Sequence, residues 1–164
     1  MKPLPSIAGK PIRVELRRGL RDGTGDVHAG AFLRERRIAF DASVAEDRRE
    51  TARIFVHELF HFVWLRLGNP RRWSWEDLLR AEFAAHARGE MGWSAEWRKR
   101  ALAPADRRRR SRRWREYACE SFCDTAAWMF AGLRSHPEFT LANRFRQRRR
   151  QWFTESVVTD RISI

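Results

Sequence analysis

The rhythm of apolar and polar positions changes near residue 42. Before it, PIRVELRRGL (11–20) partly alternates, as a half-buried strand does. RDGTGD (21–26) is turn chemistry with two glycines, and AFLRERRIAFD (31–41) holds a second strand with room for a third. From Ser43 the apolar residues recur at helical spacing. Ser43 with Glu46 three positions later reads as a capping box, and the pattern continues to Leu67. Gly68, Asn69 and Pro70 then read as a stop, which predicts a helix over 44–67. Ser74 and Asp77 predict a second helix from about 75 to 88, broken by GEMGW. Ser94 opens a short helix to about Leu102, and 103–113 reads as a charged loop or a frayed helix start. Helical spacing returns over 113–133, with Gly132 at its end. A final helix is expected at about 140–153, and the tail VVTDRISI reads as a short strand or disorder. There is no internal repeat. The expectation is one α+β domain over residues 1–164, with a small N-terminal β-sheet packed on a long helix and a helical C-terminal half.

The helix over 44–67 carries an anomaly. IFVHELFHFVWL (54–65) sets His57, Glu58 and His61 inside an apolar run, and burying polar groups is costly unless each finds a partner. His57 and His61 are four residues apart, about 40° around one helix face, so both imidazoles can reach one ion. Glu58 projects about 100° away, where it can take a proton from a water on that ion. This H-E-x-x-H spacing is a zinc-peptidase motif. The alternative, two histidines bonded to backbone and a glutamate paired with an arginine, buries three polar groups without an ion to repay them.

A catalytic zinc needs a third protein ligand and an open position. The metzincin version, with a further histidine six residues after the second, is excluded because Trp64 and Leu67 stand where its Gly and His belong. The best third ligand is in YACESFCDTAAWMF (117–130), where Glu120 and Asp124 interrupt a second apolar run. Glu120 is expected to complete the shell. Asp124, one turn on, is expected to accept the other ring N–H of His57 and fix its tautomer. Rival ligands are His86, His28, His136 and Glu116. A tetrahedral oxyanion also needs a donor; Tyr117, three residues before Glu120, is the candidate, with Arg side chains and His86 as alternatives.

HELFH at 57–61 with ESFCD at 120–124 resembles the gluzincin group of zinc metallopeptidases, whose pattern is HExxH followed by a Glu with an Asp four residues on. RRIAFDASVAEDRRETARIFVHELFH is similar to the strand, capped helix and active-site helix of small ImmA/IrrE-type metallopeptidases. The resemblance covers about residues 36–67 and 116–131. It implies a zincin-like fold, a Zn2+ cofactor and hydrolysis of a peptide or protein substrate. The implied roles are His57, His61 and Glu120 as zinc ligands, Glu58 as general base and Asp124 as the orienting carboxylate.

Composition adds less. Lys and Arg number 34 against 21 Asp and Glu, a net charge of +13. Arg-rich, Trp-bearing stretches, RRRRSRRWR (107–115) and RQRRRQW (146–152), allow an acidic or nucleic-acid partner. Lys, however, occurs only at positions 2, 10 and 99, which points to codon bias as much as to function. The rival from another class is therefore a regulatory or nucleic-acid-binding protein that keeps a non-catalytic metal site. The eight tryptophans are scattered, and most read as core. MKPLPSIAGKPIRV has no apolar leader core and no stretch suits a membrane span, so a cytoplasmic protein is expected. Cys119 and Cys123 read as reduced thiols packed in the core.

Overall fold

The computed structural model describes residues 4–22, 25–158 and 161–164. Its architecture is α+β, as the periodicities predict. Strands β1 (Ser6–Ala8), β2 (Arg13–Arg17), β3 (Arg21–Asp22), β4 (Gly25–Asp26), β5 (Ala29–Phe32) and β6 (Arg37–Asp41) precede helix α1 (Arg48–Arg66). Helices α2 (Asn69–Ala84), α3 (Trp93–Arg100), α4 (Pro104–Arg109), α5 (Arg112–Phe130) and α6 (Asn143–Ser156) follow, then strand β7 (Arg161–Ser163).

The sheet that supports α1 has the order β2-β6-β5, with β2 parallel and β5 antiparallel to β6. RIAFD takes the middle because Arg37, Ile38, Ala39 and Phe40 are all buried. The tail forms a strand: β7 runs parallel to β1, with Ile162 opposite Ile7.

Several predicted boundaries move, each for a local reason. Ser43 does not cap α1. It sits in a tight 3-10 turn, Ala42–Glu46, and gives its own N–H and hydroxyl to Asp41. Asp47 is the cap, its carboxylate accepting from Arg49 N at 2.8 Å and Glu50 N at 3.2 Å. Gly68, Asn69 and Pro70 do end α1, but they also begin α2: Pro70 lies in its first turn, where the missing N–H costs nothing. The second helix therefore starts about six residues before the expected position. The stretch 103–113 contains the one-and-a-half-turn α4 and the Ser111 cap of α5.

α1 packs most extensively against α5, and α3 also packs on α5. The core between them is aromatic: Phe122 stacks on Phe153 with ring centroids 4.7 Å apart, and Phe60, Trp64 and Trp75 close around Phe122. Burying one such ring stabilises by about 1.5–3 kcal/mol relative to exposure. Four tryptophans, Trp75, Trp114, Trp128 and Trp152, are buried as expected, whereas Trp73, Trp93 and Trp97 are exposed. Among the described residues no helix is long and apolar enough to cross a membrane.

Part of the Arg-rich sequence is also structural. Arg149, from RQRRRQW, is fully buried and binds Glu82 and Glu90. In RRRRSRRWR, Arg110 pairs with Glu76 at 2.6 Å, and buried Trp114 donates its indole N–H to the same carboxylate at 3.0 Å.

Candidate metal centre

His57, Glu58 and His61 lie in the C-terminal half of α1, and both histidines meet side chains of α5. His57 and Glu58 are buried, and one donor atom from each of the three residues lies within 4.8 Å of the others. Glu58 thus stands closer to the imidazole nitrogens than its helical projection alone suggests.

α5 supplies the other half. Asp124 Oδ1 lies 2.7 Å from His57 Nδ1, and Glu120 Oε2 lies 3.3 Å from His57 Nε2. Four residues predicted from sequence, His57, His61, Glu120 and Asp124, are therefore brought together, and His57 is the histidine that Asp124 orients. Glu120 enters through His57 rather than through His61.

The hydrogen-bond network fixes the chemistry of the rings. Asp124 accepts from Ala95 N–H through Oδ2 at 3.0 Å, so its Oδ1 is left to accept from His57 Nδ1–H. In a neutral ring that places the lone pair on Nε2. His61 Nδ1 faces Cys119 Sγ at 3.5 Å, and its Nε2 faces His57 Nε2 at 3.2 Å. The lone pair of His57 Nε2 therefore faces either a ring N–H of His61 or a metal ion held between the two nitrogens. A tetrahedral ion with ligand bonds of about 2.0–2.1 Å separates its ligand atoms by about 3.3–3.4 Å. The 3.2 Å and 3.3 Å separations around His57 Nε2 match that edge.

Without an ion, protons fill the role. Burial opposes a charged His57, yet the Asp124 carboxylate, with Glu120 beside it, raises its pKa well above the ordinary imidazole value. Burial likewise opposes a charged His61, but Cys119 and then Glu120 raise it to about 9. Burial alone would raise Glu120; the two histidines and Arg98 instead hold it down to about 2. A metal ion must displace those protons, as is usual for histidine ligands.

Three supporting features had no signal strong enough to find in the sequence. Asp124 caps α3 from a different helix, because Ala95 N lies in the first turn and Gly92 offers no capping side chain. Trp93 N–H is met in the same way by Glu138 Oε2 at 2.7 Å. Gly92 is packed against Asp124 so closely that a Cβ there would fall 2.3 Å from its carboxyl carbon. The glycine in GEMGW, read from sequence only as a helix breaker, is what lets the carboxylate sit there. Arg98 reaches Glu120 Oε1 at 3.5 Å while its guanidinium lies 4.4 Å from the centre of the Trp97 ring. A groove of about 720 Å³ lined by Gly89, Gly92, Trp93, Glu96, Lys99 and Glu138 backs onto the same glycine without reaching the imidazoles.

The structure does not bring every candidate here. Tyr117 is corrected: it is fully buried, and its hydroxyl donates to Glu90 Oε1 at 2.5 Å, in a network with Arg149. Arg98 is the cation paired with Glu120. His86 is exposed beyond the end of α2 with φ of 53°. His28 is exposed, His136 pairs with Glu50 at 3.1 Å, and Glu116 pairs with Arg112 on the surface. Cys123 is buried in the core and Cys119 packs against it, as expected, and both also stand beside His61 with all three donor atoms within 4.8 Å.

His57, Glu58 and His61, closely spaced and largely buried, form a group that can hold a metal ion; Glu120, the expected third ligand, lies beside it, 3.3 Å from His57 Nε2. The chain matches no family model, and no curated protein or solved structure is similar to it.

Proposed function

We propose that the protein is a zinc-dependent peptidase of the gluzincin type, with a zincin-like arrangement of sheet, metal-binding helix and glutamate-bearing helix. The observation that carries this reading is the pair of imidazole nitrogens held 3.2 Å apart with Glu58 within reach of both. A purely structural ion has no need of that third, non-coordinating carboxylate.

His57, His61 and Glu120 would hold the ion, and Asp124 would keep His57 in the ligating tautomer. A divalent ion bound there supplies Lewis acidity toward a carbonyl oxygen and lowers the pKa of a water to about 7. The work of the chain is proton handling and positioning. Glu58 accepts the proton of the attacking water and returns it to the leaving amine. Arg98, already paired with Glu120, is placed to balance negative charge as it develops on the substrate oxygen.

The test is metal analysis of the purified full chain together with peptide hydrolysis. About one zinc per chain is expected, lost in His61→Ala. Glu58→Gln should retain the zinc and lose hydrolysis by a factor on the order of 10²–10⁴. Hydrolysis that survives Glu58→Gln removes the general base, and a chain that takes up no zinc removes the reading as a whole.

A further inference from the structure

The His61 ring has two nitrogens with different neighbours. Nε2 faces His57, and Nδ1 faces Cys119 Sγ at 3.5 Å. Cys123, one turn further along α5, brings a second sulfur to the same place, so that His61, Cys119 and Cys123 offer three donor atoms all within 4.8 Å. Cys123 is fully buried and Cys119 is partly exposed.

This donor set differs in kind from the carboxylate-rich one beside it. Two thiolates and an imidazole select soft, thiophilic ions, while carboxylates suit harder ones. The spacing fits as well. A tetrahedral ion with bonds of about 2.05 Å to nitrogen and 2.3 Å to sulfur separates those atoms by about 3.5–3.6 Å, against 3.5 Å here. Two thiolates carry two negative charges, which a divalent ion neutralises and a monovalent one does not. Both sulfurs ride on α5, and the imidazole rides on the helix packed most extensively against it, so the site is preorganised.

We propose that His61 Nδ1, Cys119 Sγ and Cys123 Sγ form a second site for a thiophilic divalent cation, and that its occupation withdraws His61 from the first. A neutral imidazole has one lone pair. When the ion binds Nδ1, the ring proton moves to Nε2, and the two thiols release their protons to solvent as the metal–sulfur bonds form. His61 then offers His57 an N–H where the first ion needs a donor. The existence of the second site does not depend on the peptidase reading; only its antagonism does.

Cadmium is the probe. Titrating Cd2+ into the reduced, metal-free full chain should give an ultraviolet thiolate-to-cadmium band that saturates at about one equivalent, with both thiols protected from a disulfide reagent. Cys119→Ser and Cys123→Ser should each abolish the band, and His61→Ala should weaken binding by more than about tenfold. His57→Ala should keep the band, which separates this site from the first. In zinc-loaded protein, one equivalent of Cd2+ should release zinc to a colorimetric chelator. A wild-type chain that shows no band and keeps both thiols reactive overturns the site and leaves Cys119 only a hydrogen-bond partner of His61. A band with zinc retained overturns the antagonism.

Discussion

Two buried polar groups occupy adjacent flanks of α5, and they close their charge in different ways. On one flank Tyr117, Ser121 and Thr125 meet a network in which Glu82 and Glu90 are matched by Arg149 and Lys99. Two carboxylates face two cations, and none of the four needs anything from outside the chain. On the other flank Glu58, Glu120 and Asp124 surround two imidazoles, with Arg98 as the one cation paired to them among the described residues. With neutral rings, three carboxylates against one guanidinium leave two negative charges. A buried polar group that is complete in its own ions holds helices together, whereas this one closes its charge only through protons on two imidazoles, which a metal ion can replace.

The largest effect should come from breaking the complete group. Arg149→Met leaves Glu82 and Glu90 buried without their main partner, and chemical denaturation should report a loss of about 3–5 kcal/mol. The same group sets a pH signature. Burial alone would raise the Glu90 carboxyl, but Arg149 and Lys99 hold it down to about 2, below the 4.5 of a free glutamate. Because the folded value is the lower one, its contribution is fully present above about pH 4.5 and fades as pH falls toward 2. Melting temperatures across that window should fall in the wild type and fall less steeply in Glu90→Gln.

The incomplete group should answer to metal instead. Zinc at one hundred times its dissociation constant should stabilise the wild type by about 2.7 kcal/mol, and chelator should reverse the gain. Arg149→Met should show the same increment on its lower baseline if it folds, since the two groups share no residue. His57→Ala should show none. A zinc-induced shift that persists in His57→Ala would place the ion elsewhere.

How much of this was legible in the sequence follows from the same contrast. Local periodicity carries α1 and α5, because each buries a broad apolar face, and the residues that interrupt those faces, His57, Glu58, His61, Glu120 and Asp124, stand out for that reason. Their meeting across 59 or more positions is what the two interruptions together suggest, and α1 does pack on α5. What failed was set by tertiary context. Ser43 and Asp47 are both good caps, and only the sheet decides that Asp41 takes Ser43. Tyr117 shares a helix with Glu120, but Glu90 and Arg149 arrive from elements whose placement the sequence does not announce. Most of the tryptophans read as core by type, yet Trp93, in the first turn of α3, stays 65% exposed.

A smaller effect should come from orientation alone. Asp124→Asn keeps the shape but replaces the carboxylate that fixes the His57 tautomer and caps α3 through Ala95. Zinc affinity should fall about 10–100-fold with the fold intact, by titration against a competing chelator. An affinity equal to wild type would show that the 2.7 Å contact to His57 carries no weight in ligand orientation.

The smallest effect sharpens the division between the two groups. Tyr117 lies on α5 within one turn of Glu120, yet its hydroxyl is spent on Glu90. Burial, reinforced by that carboxylate, pushes the phenol well above its usual pKa, so it remains a donor throughout the working range. Tyr117→Phe should therefore cost about 1.5 kcal/mol of stability, the worth of one buried hydrogen bond to a charged acceptor. Zinc affinity and the turnover of any peptide substrate should stay at wild-type levels. If turnover instead drops by about tenfold or more while stability holds, the hydroxyl reaches the reacting atoms, and the two flanks of α5 are a single site.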